Sequence, residues 1–548
     1  MSSEPEPTRV EPERKRCGRC RRRLHVQKTR TRTIVTTSGE TPITEVTRSC
    51  SEHAEQVFPP DQDLVPPKSK YGYDIIAEAG RLRFLENKQV QEIKDDFSTR
   101  GIGVPGRTVQ WLCDRFLLFI MAVHWESLSI LSRLFRAQGG YVLHIDGSGR
   151  SGPMVLLLRE GWSGIRLLTA PIRSEAAEFI IPYLKSVRDR FGNPVAVVTD
   201  MSKGNIAAIR EVFPGVYIII CHYHFLQSVG TKLFEPFYPR FRGKVDHRGV
   251  KKKLRTLRRI LRHRKALDED EAMTLSIADY ILAYEKDGKG LAYPFSLPMV
   301  DFYRRCAEAG MKVRKAILAR ARKNVSSPSL SRLENSLRLL KPPPIVLGRL
   351  QADFDDLCVR WAWFQRIRWA LRYRNGPIPL STHVMLSDKD LEKGRRKLDR
   401  ILAKIEELEE KGGLDHHSRE LRKSLRRVAS SIMAQRENLF APNLLVNVNG
   451  KKIVKKLPRT NAPEEGEFRK ARRHCRRIRG NSDVERQFQR DGPGMLMVQN
   501  LTHREYVRMV YGSLGQMATR FAKVSPENLM HAKSYMGGSR ELSMVGNH

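Results

Sequence analysis

The chain is 548 residues long, 40% hydrophobic and 29% charged, enough to bury at least one sizeable core in roughly two to four units. Its 99 Lys and Arg against 60 Asp and Glu leave a net charge of +39, far more than solubility needs, which implies a polyanionic partner, nucleic acid first. The sequence has no apolar run of about twenty residues, no amphipathic anchor and no lipidation signal, which argues against a membrane partner.

Residues 1–16 are acidic and Pro-containing, lack the apolar core of a secretory signal, and read as a disordered tail. Residues 17–58 follow, with Cys17 and Cys20 forming one knuckle and Cys50 and His53 a second. Between them, β-branched and polar residues alternate around a Ser38-Gly39 turn, which predicts a hairpin. Four nitrogen and sulfur donors at this spacing suit tetrahedral Zn2+, so a zinc ribbon is expected. Eight dispersed cysteines form no disulfide framework, which predicts a reducing, cytoplasmic compartment.

A Pro-rich linker, 59–70, leads to residues 71–135, whose periodicity predicts a helix-turn-helix. Val90, Ile93 and Phe97 share one face of the first helix, and Val109, Leu112 and Phe116 share one face of the second. Arg107, Gln110 and Arg115 on the second helix are candidates to face DNA.

Residues 136–235 change to strands. "YVLHIDGSG", "PMVLLLRE" and "GIRLLTAPI" predict an antiparallel meander, and a helix with Ser174 as its N-cap should follow. "PVAVVTD", a second helix and "GVYIIIC" complete a sheet of five strands covered by helices. Asp146 then ends the first strand and Asp200 the fourth. Two such carboxylates on adjacent parallel strands repel unless a cation lies between them, so Mg2+ or Mn2+ and two-metal phosphoryl transfer are expected. This arrangement is that of RNase H-like nucleases.

Helical periodicity dominates 236–455, which reads as an all-α insertion; it ends in a helical hairpin turning at Gly412-Gly413. Trp361, Trp363 and Trp369 read as core packing. Residues 456–530 contain the basic helix "EFRKARRHCRRIRG", where Arg472, Arg473 and Arg476 are candidates to follow a DNA backbone. Residues 531–548 read as a tail.

The run from "DGS" through "TDMSKGNIAAIREVFPGVYIIICHYH" resembles the catalytic core of DDE transposases of the Mutator-like and related bacterial insertion-sequence groups. Asp146, Thr199-Asp200, Phe213-Pro214, Cys221 and His224 carry the resemblance. It implies a metal-dependent enzyme that cuts double-stranded DNA at terminal inverted repeats and joins the ends to target DNA. It also implies a prokaryotic, nucleoid-associated chain that works as a dimer or larger assembly on DNA. The third acid should follow the insertion, and Thr460-Asn461 points to Glu465, with Glu464, Glu467 and Glu485 as alternatives. Cys221 and His224 would position structure or substrate, and His222 is expected in a loop or facing solvent. A catalytically inactive DNA-binding descendant and an RNase H-like nuclease are the competing readings.

Overall fold

The computed structural model describes residues 8–544 except 54, 59–63, 68, 150–153, 285–292, 341–343, 374–384, 411–415, 449, 481 and 482. The chain divides into two compact units. The first comprises Met1–Ile219, Leu380–Met385 and Asn443–His548, and the second Ile220–Pro379 and Leu386–Pro442.

The first unit opens on a small sheet. Strands β2 (His25–Thr36) and β3 (Gly39–Ser49) pair antiparallel, with Thr36 opposite Gly39 closing the predicted hairpin. Gly39 has φ +112°, a left-handed conformation that glycine adopts without a Cβ penalty. β1 (Thr8–Val10) runs parallel to β3, and β4 (Gln56–Val57) pairs on the same strand. Residues 8–10 therefore belong to a sheet, although their composition reads as a tail; register with β3 decides them.

Helices α1 (Tyr73–Gly80), α2 (Val90–Thr99) and α3 (Gly106–Glu126) follow, then α4 (Leu128–Ala137). Ile93 and Phe97 of α2 and Val109, Leu112 and Phe116 of α3 are fully buried, as their spacing predicts. The second half of α3, from Phe116 to His124, is buried on every side, so α3 is a core helix of the unit and only its two ends reach solvent. Gly80 allows α1 to touch it: a Cβ there would lie 1.9 Å from the Phe116 ring.

The main sheet is mixed and five-stranded. β5 (Val142–Ser148), β6 (Met154–Glu160) and β7 (Arg166–Ile172) form the antiparallel meander. β8 (Ala196–Thr199) lies parallel to β5, and with β9 (Tyr217–Ile220) the order is β7-β6-β5-β8-β9. Helices α5 (Ala177–Phe191) and α6 (Lys203–Val212) make the connections. Ala176, not Ser174, is the N-cap of α5; Ser174 Oγ instead accepts the Ala176 amide at 3.2 Å, a local turn that delays the helix.

Two elements depart from the sequence reading. β10 (Leu444–Val448) and β11 (Lys451–Lys455) form a hairpin inside the stretch expected to be helical, with Gly450 at φ +83°. The signal was present, since Asn449-Gly450 between β-branched runs is a strong hairpin cue. The segment expected as a tail contributes the helix Pro526–Met544, in which Ala532 is fully buried and Tyr535 Oη donates to Thr169 O at 2.8 Å.

The second unit is helical throughout its described residues. Its centre is Arg360, fully buried on the helix Pro344–Ala370. The guanidinium donates to Asp356 at 2.7 Å and to Leu233 O and Ser424 Oγ at 2.9 Å, and it lies 3.7 Å over the Phe237 ring. Three helices are thereby joined through one charge. Trp363 is buried and Trp361 stacks 5.6 Å from Phe364, but Trp369 is 65% exposed, so it is not core. Its position faces away from the buried stripe formed by Phe364, Ile367 and Leu371. The Gly412-Gly413 turn lies outside the described residues, while its flanking helices, Asp388–Glu410 and His416–Leu439, form as expected.

Among the described residues, no single helix is long and apolar enough to cross a membrane.

Candidate functional site

The register of β5 with β8 pairs Val142 with Ala196 and His144 with Val198. Carried two residues further, it sets Asp146 opposite Asp200, just past the end of β8, although Asp146 does not end its strand as expected, since β5 continues to Ser148 in its pairing with β6. Adjacent strands lie about 4.8 Å apart, so the two residues are neighbours across the sheet, although the oxygens of Asp146, Asp200 and Glu485 do not all lie within 4.8 Å of one another. Asp146 is 6% exposed, and its Oδ1 accepts the Gly147 amide at 3.1 Å. Asp200 Oδ1 accepts the Ser202 amide at 2.9 Å and the Asn205 side-chain amide at 3.0 Å. That turn starts α6 and fixes the carboxylate. Gly204 allows α6 to sit so close, because a Cβ there would fall 1.7 Å from Glu175 O.

Ser148 follows Asp146 by two residues and therefore shares its face of β5. Its hydroxyl lies 3.4 Å from Glu485 Oε1 and accepts from Arg472 Nη2 at 3.2 Å. Glu485 is held in the first turn of the helix Val484–Asp491, whose N-cap Asp483 accepts the Arg486 amide at 2.9 Å. Val484, Gln487 and Phe488 bury the opposite face of that helix. Glu464, Glu465 and Glu467 fall within the helix Ala462–Arg479, and their side chains lie outside the described residues.

The Thr460-Asn461 pair is an anchor. Asn461 is fully buried, donates to Ile145 O at 2.8 Å and stands 3.0 Å from His144 Nδ1. It thus fixes the start of the basic helix to β5, one residue before Asp146. On this helix Arg472 turns toward Ser148, Arg476 is exposed, and Arg473 lines a cavity of about 480 Å3 together with Lys470, His474 and Leu496. The helix-turn-helix candidates are less uniform. Arg107 is exposed, Gln110 donates to Asp114 at 3.0 Å, and Arg115 lies 5.2 Å over the Trp111 ring.

Cys221 is the buried N-cap of α7 (His222–Phe234) in the second unit. His222 is fully buried, with Nε2 3.0 Å from Leu439 O, which corrects its reading as a loop or solvent-facing residue. A carbonyl acceptor in the same unit makes it a packing histidine. His224 is half-buried beside Tyr223. Neither Cys221 nor His224 belongs to a group of metal-competent side chains among the described residues.

One such group is present. Ligand atoms of Cys17, Cys20, Cys50 and His53 all lie within 4.8 Å of one another. Cys17 Sγ is 3.7 Å and Cys50 Sγ 3.8 Å from His53 Nδ1, and Cys20 Sγ is 3.6 Å from Cys50 Sγ. A tetrahedron with zinc bond lengths has edges of about 3.5–3.8 Å, so the cluster could bind a metal such as zinc. The His53 amide beside Cys50 pulls that thiol down to about 7, whereas at Cys17 the Cys20 amide is outweighed by Glu55, which accepts from Sγ at 3.1 Å, and by burial, which together push that thiol up to about 11.

No family model matches the chain, and no curated protein matches it.

Proposed function

We propose that the protein is a DDE-type transposase with an RNase H-like core and a helical insertion, acting on double-stranded DNA. The observation that carries this reading is the parallel register of β5 with β8, which extends to Asp146 beside Asp200, together with Ser148 Oγ 3.4 Å from Glu485 Oε1. The sheet order, with an antiparallel meander followed by a parallel strand next to β5, supports it.

The proposed ligands, Asp146, Asp200 and Glu485, offer oxygen alone, which fits Mg2+ or Mn2+ and not a soft ion. Asp146, Asp200 and Glu485 would hold the divalent ions, which when bound would supply nucleophile activation and charge stabilisation at phosphorus. The chain's own residues do the positioning. Asp200 is oriented by Ser202 and Asn205, and Glu485 by Ser148. Arg472 sets a positive charge beside the acids, where a scissile phosphate would be drawn in. The Cys/His cluster at residues 17–53 would hold Zn2+ and stabilise a ribbon that binds element ends with the helical pair after it. Two DNA ends must be held together, so an assembly of at least two chains is expected on DNA.

The test is Mg2+- or Mn2+-dependent nicking of a duplex carrying the inverted repeats that flank the gene. Asp146→Asn and Asp200→Asn should each abolish nicking while retaining binding. Binding without nicking by the unaltered chain would instead identify a DNA-binding protein, and nicking that survives either substitution would remove this site from the reaction.

A further inference from the structure

Two helices of the second unit carry the same number of cations and differ in everything else. The helix Asp388–Glu410 has seven Lys or Arg and eight Asp or Glu, a balanced surface. The helix Val250–Arg262, "VKKKLRTLRRILR", has seven Lys or Arg and no acid. Its apolar residues Val250, Leu254, Leu257 and Leu261 are buried within the unit, so that face is not available for insertion into a lipid surface.

Some of its cations are neutralised from neighbouring elements. Lys251 pairs with Asp246, and Arg258 and Arg262 stand 3.7 and 2.8 Å from Asp279. Lys252, Lys253 and Arg259 are exposed and form no ion pair among the described residues. Lys252 and Arg259, seven residues apart, lie on one side of the helix about 10 Å from each other. A row of uncompensated cations raises the local potential and has a cost in self-repulsion, which a polyanion relieves.

We infer that the exposed face of Val250–Arg262 is a nucleic-acid contact of the helical unit, gripping phosphates of duplex DNA without reading sequence. Lys and Arg on a surface that offers no base-reading pocket neutralise phosphates and release counterions, giving affinity that is salt-dependent and indifferent to sequence. This rests on duplex DNA being the partner proposed above, and not on cleavage.

The test uses the full chain with Lys252→Gln, Lys253→Gln and Arg259→Gln combined, bound to duplex DNA of arbitrary sequence between 50 and 200 mM salt. Because the three side chains are exposed, the unfolding transition should match that of the parent chain. Each lost phosphate contact lowers the slope of log affinity against log salt by about 0.9, so the slope should fall by about 2–3. A control triple on the balanced helix, Lys393→Gln, Lys397→Gln and Arg400→Gln, should change it by less than about 1. An unchanged slope, an equal change in the control, or a change confined to duplex RNA or anionic vesicles would overturn the inference. A chain that never nicks DNA yet shows the slope change would keep this contact and lose the catalytic reading.

Discussion

Ser148 Oγ lies 3.4 Å from Glu485 Oε1, joining the end of β5 to a helix 337 residues later in the chain. The same hydroxyl accepts from Arg472, so acid, hydroxyl and guanidinium form one chain of contacts beside Asp146. Under the proposed function Glu485 is the third acid. Glu485→Gln should reduce metal-dependent nicking to background, while Glu465→Gln should leave most of it. Ser148→Ala removes a positioning contact only, and should cost about 10–100-fold in activity or metal affinity. Nicking is measured against Mn2+ concentration, and the Ser148 variant should need more metal for half-maximal rate. The opposite ranking of the two glutamates would return the role to Glu465.

The Cys/His cluster yields a metal prediction that needs no DNA. The purified chain should carry zinc, and Cys17→Ser with Cys20→Ser should remove it, as read by elemental analysis. Among the described residues only Leu24 and the half-buried Val57 pack with the ligand cysteines in this small cluster, too little to hold the knuckles alone. Chelation should therefore expose the β2–β3 hairpin to proteolysis while the other described elements stay protected. A full zinc complement in the double variant would show that the metal sits elsewhere.

These two sites differ in how far the sequence reveals them. The Cys/His cluster is legible because each pair is local, Cys17 with Cys20 and Cys50 with His53, on the two sides of one hairpin. Asp200 is legible as following a strand end because an apolar run marks β8 directly, whereas Asp146 lies within β5, which pairs on to Ser148 after the apolar run stops. The choice between Glu465 and Glu485 is not legible, since it depends on how a short helix docks after residues with no apolar period. Thr460-Asn461 points to Glu465 in the sequence, and in the structure Asn461 serves as an anchor to His144 and Ile145. His222 is illegible for a related reason. Its partner, Leu439 O, is 217 residues away, and no local pattern announces it.

Arg360 and Asp356 form a buried ion pair at 2.7 Å in the second unit. Removing one partner leaves the other charged in a place where water cannot reach it, a penalty of about 3–5 kcal/mol. Arg360→Met should therefore destabilise the unit strongly in denaturant unfolding. Arg360→Met combined with Asp356→Leu should recover much of the loss, because both desolvation costs vanish together. The recovery will be partial, since Leu233 O and Ser424 Oγ still lose their donor. If the double variant is no more stable than the single one, the charge pair is not what holds this centre.

His124 predicts an acid-sensitive first unit. It is fully buried in α3 between Tyr506 Oη at 3.0 Å and Leu167 O at 3.1 Å. A carbonyl can only accept, so Nε2 carries the proton and Nδ1 accepts from Tyr506. Burial holds the imidazole down to about 4, the Leu167 carbonyl opposes this, and Arg190 adds to it. The unfolded chain takes up the proton near 6.5 and the folded chain only near 4. The unfolded state thus binds more protons between these values, and stability falls as pH drops through that window. The loss approaches about 3 kcal/mol. Urea unfolding of the parent and of His124→Gln from pH 7 to pH 4 isolates this contribution from the carboxylates common to both. The parent should lose more stability than the variant across the window, and parallel curves would show that His124 does not couple folding to protons.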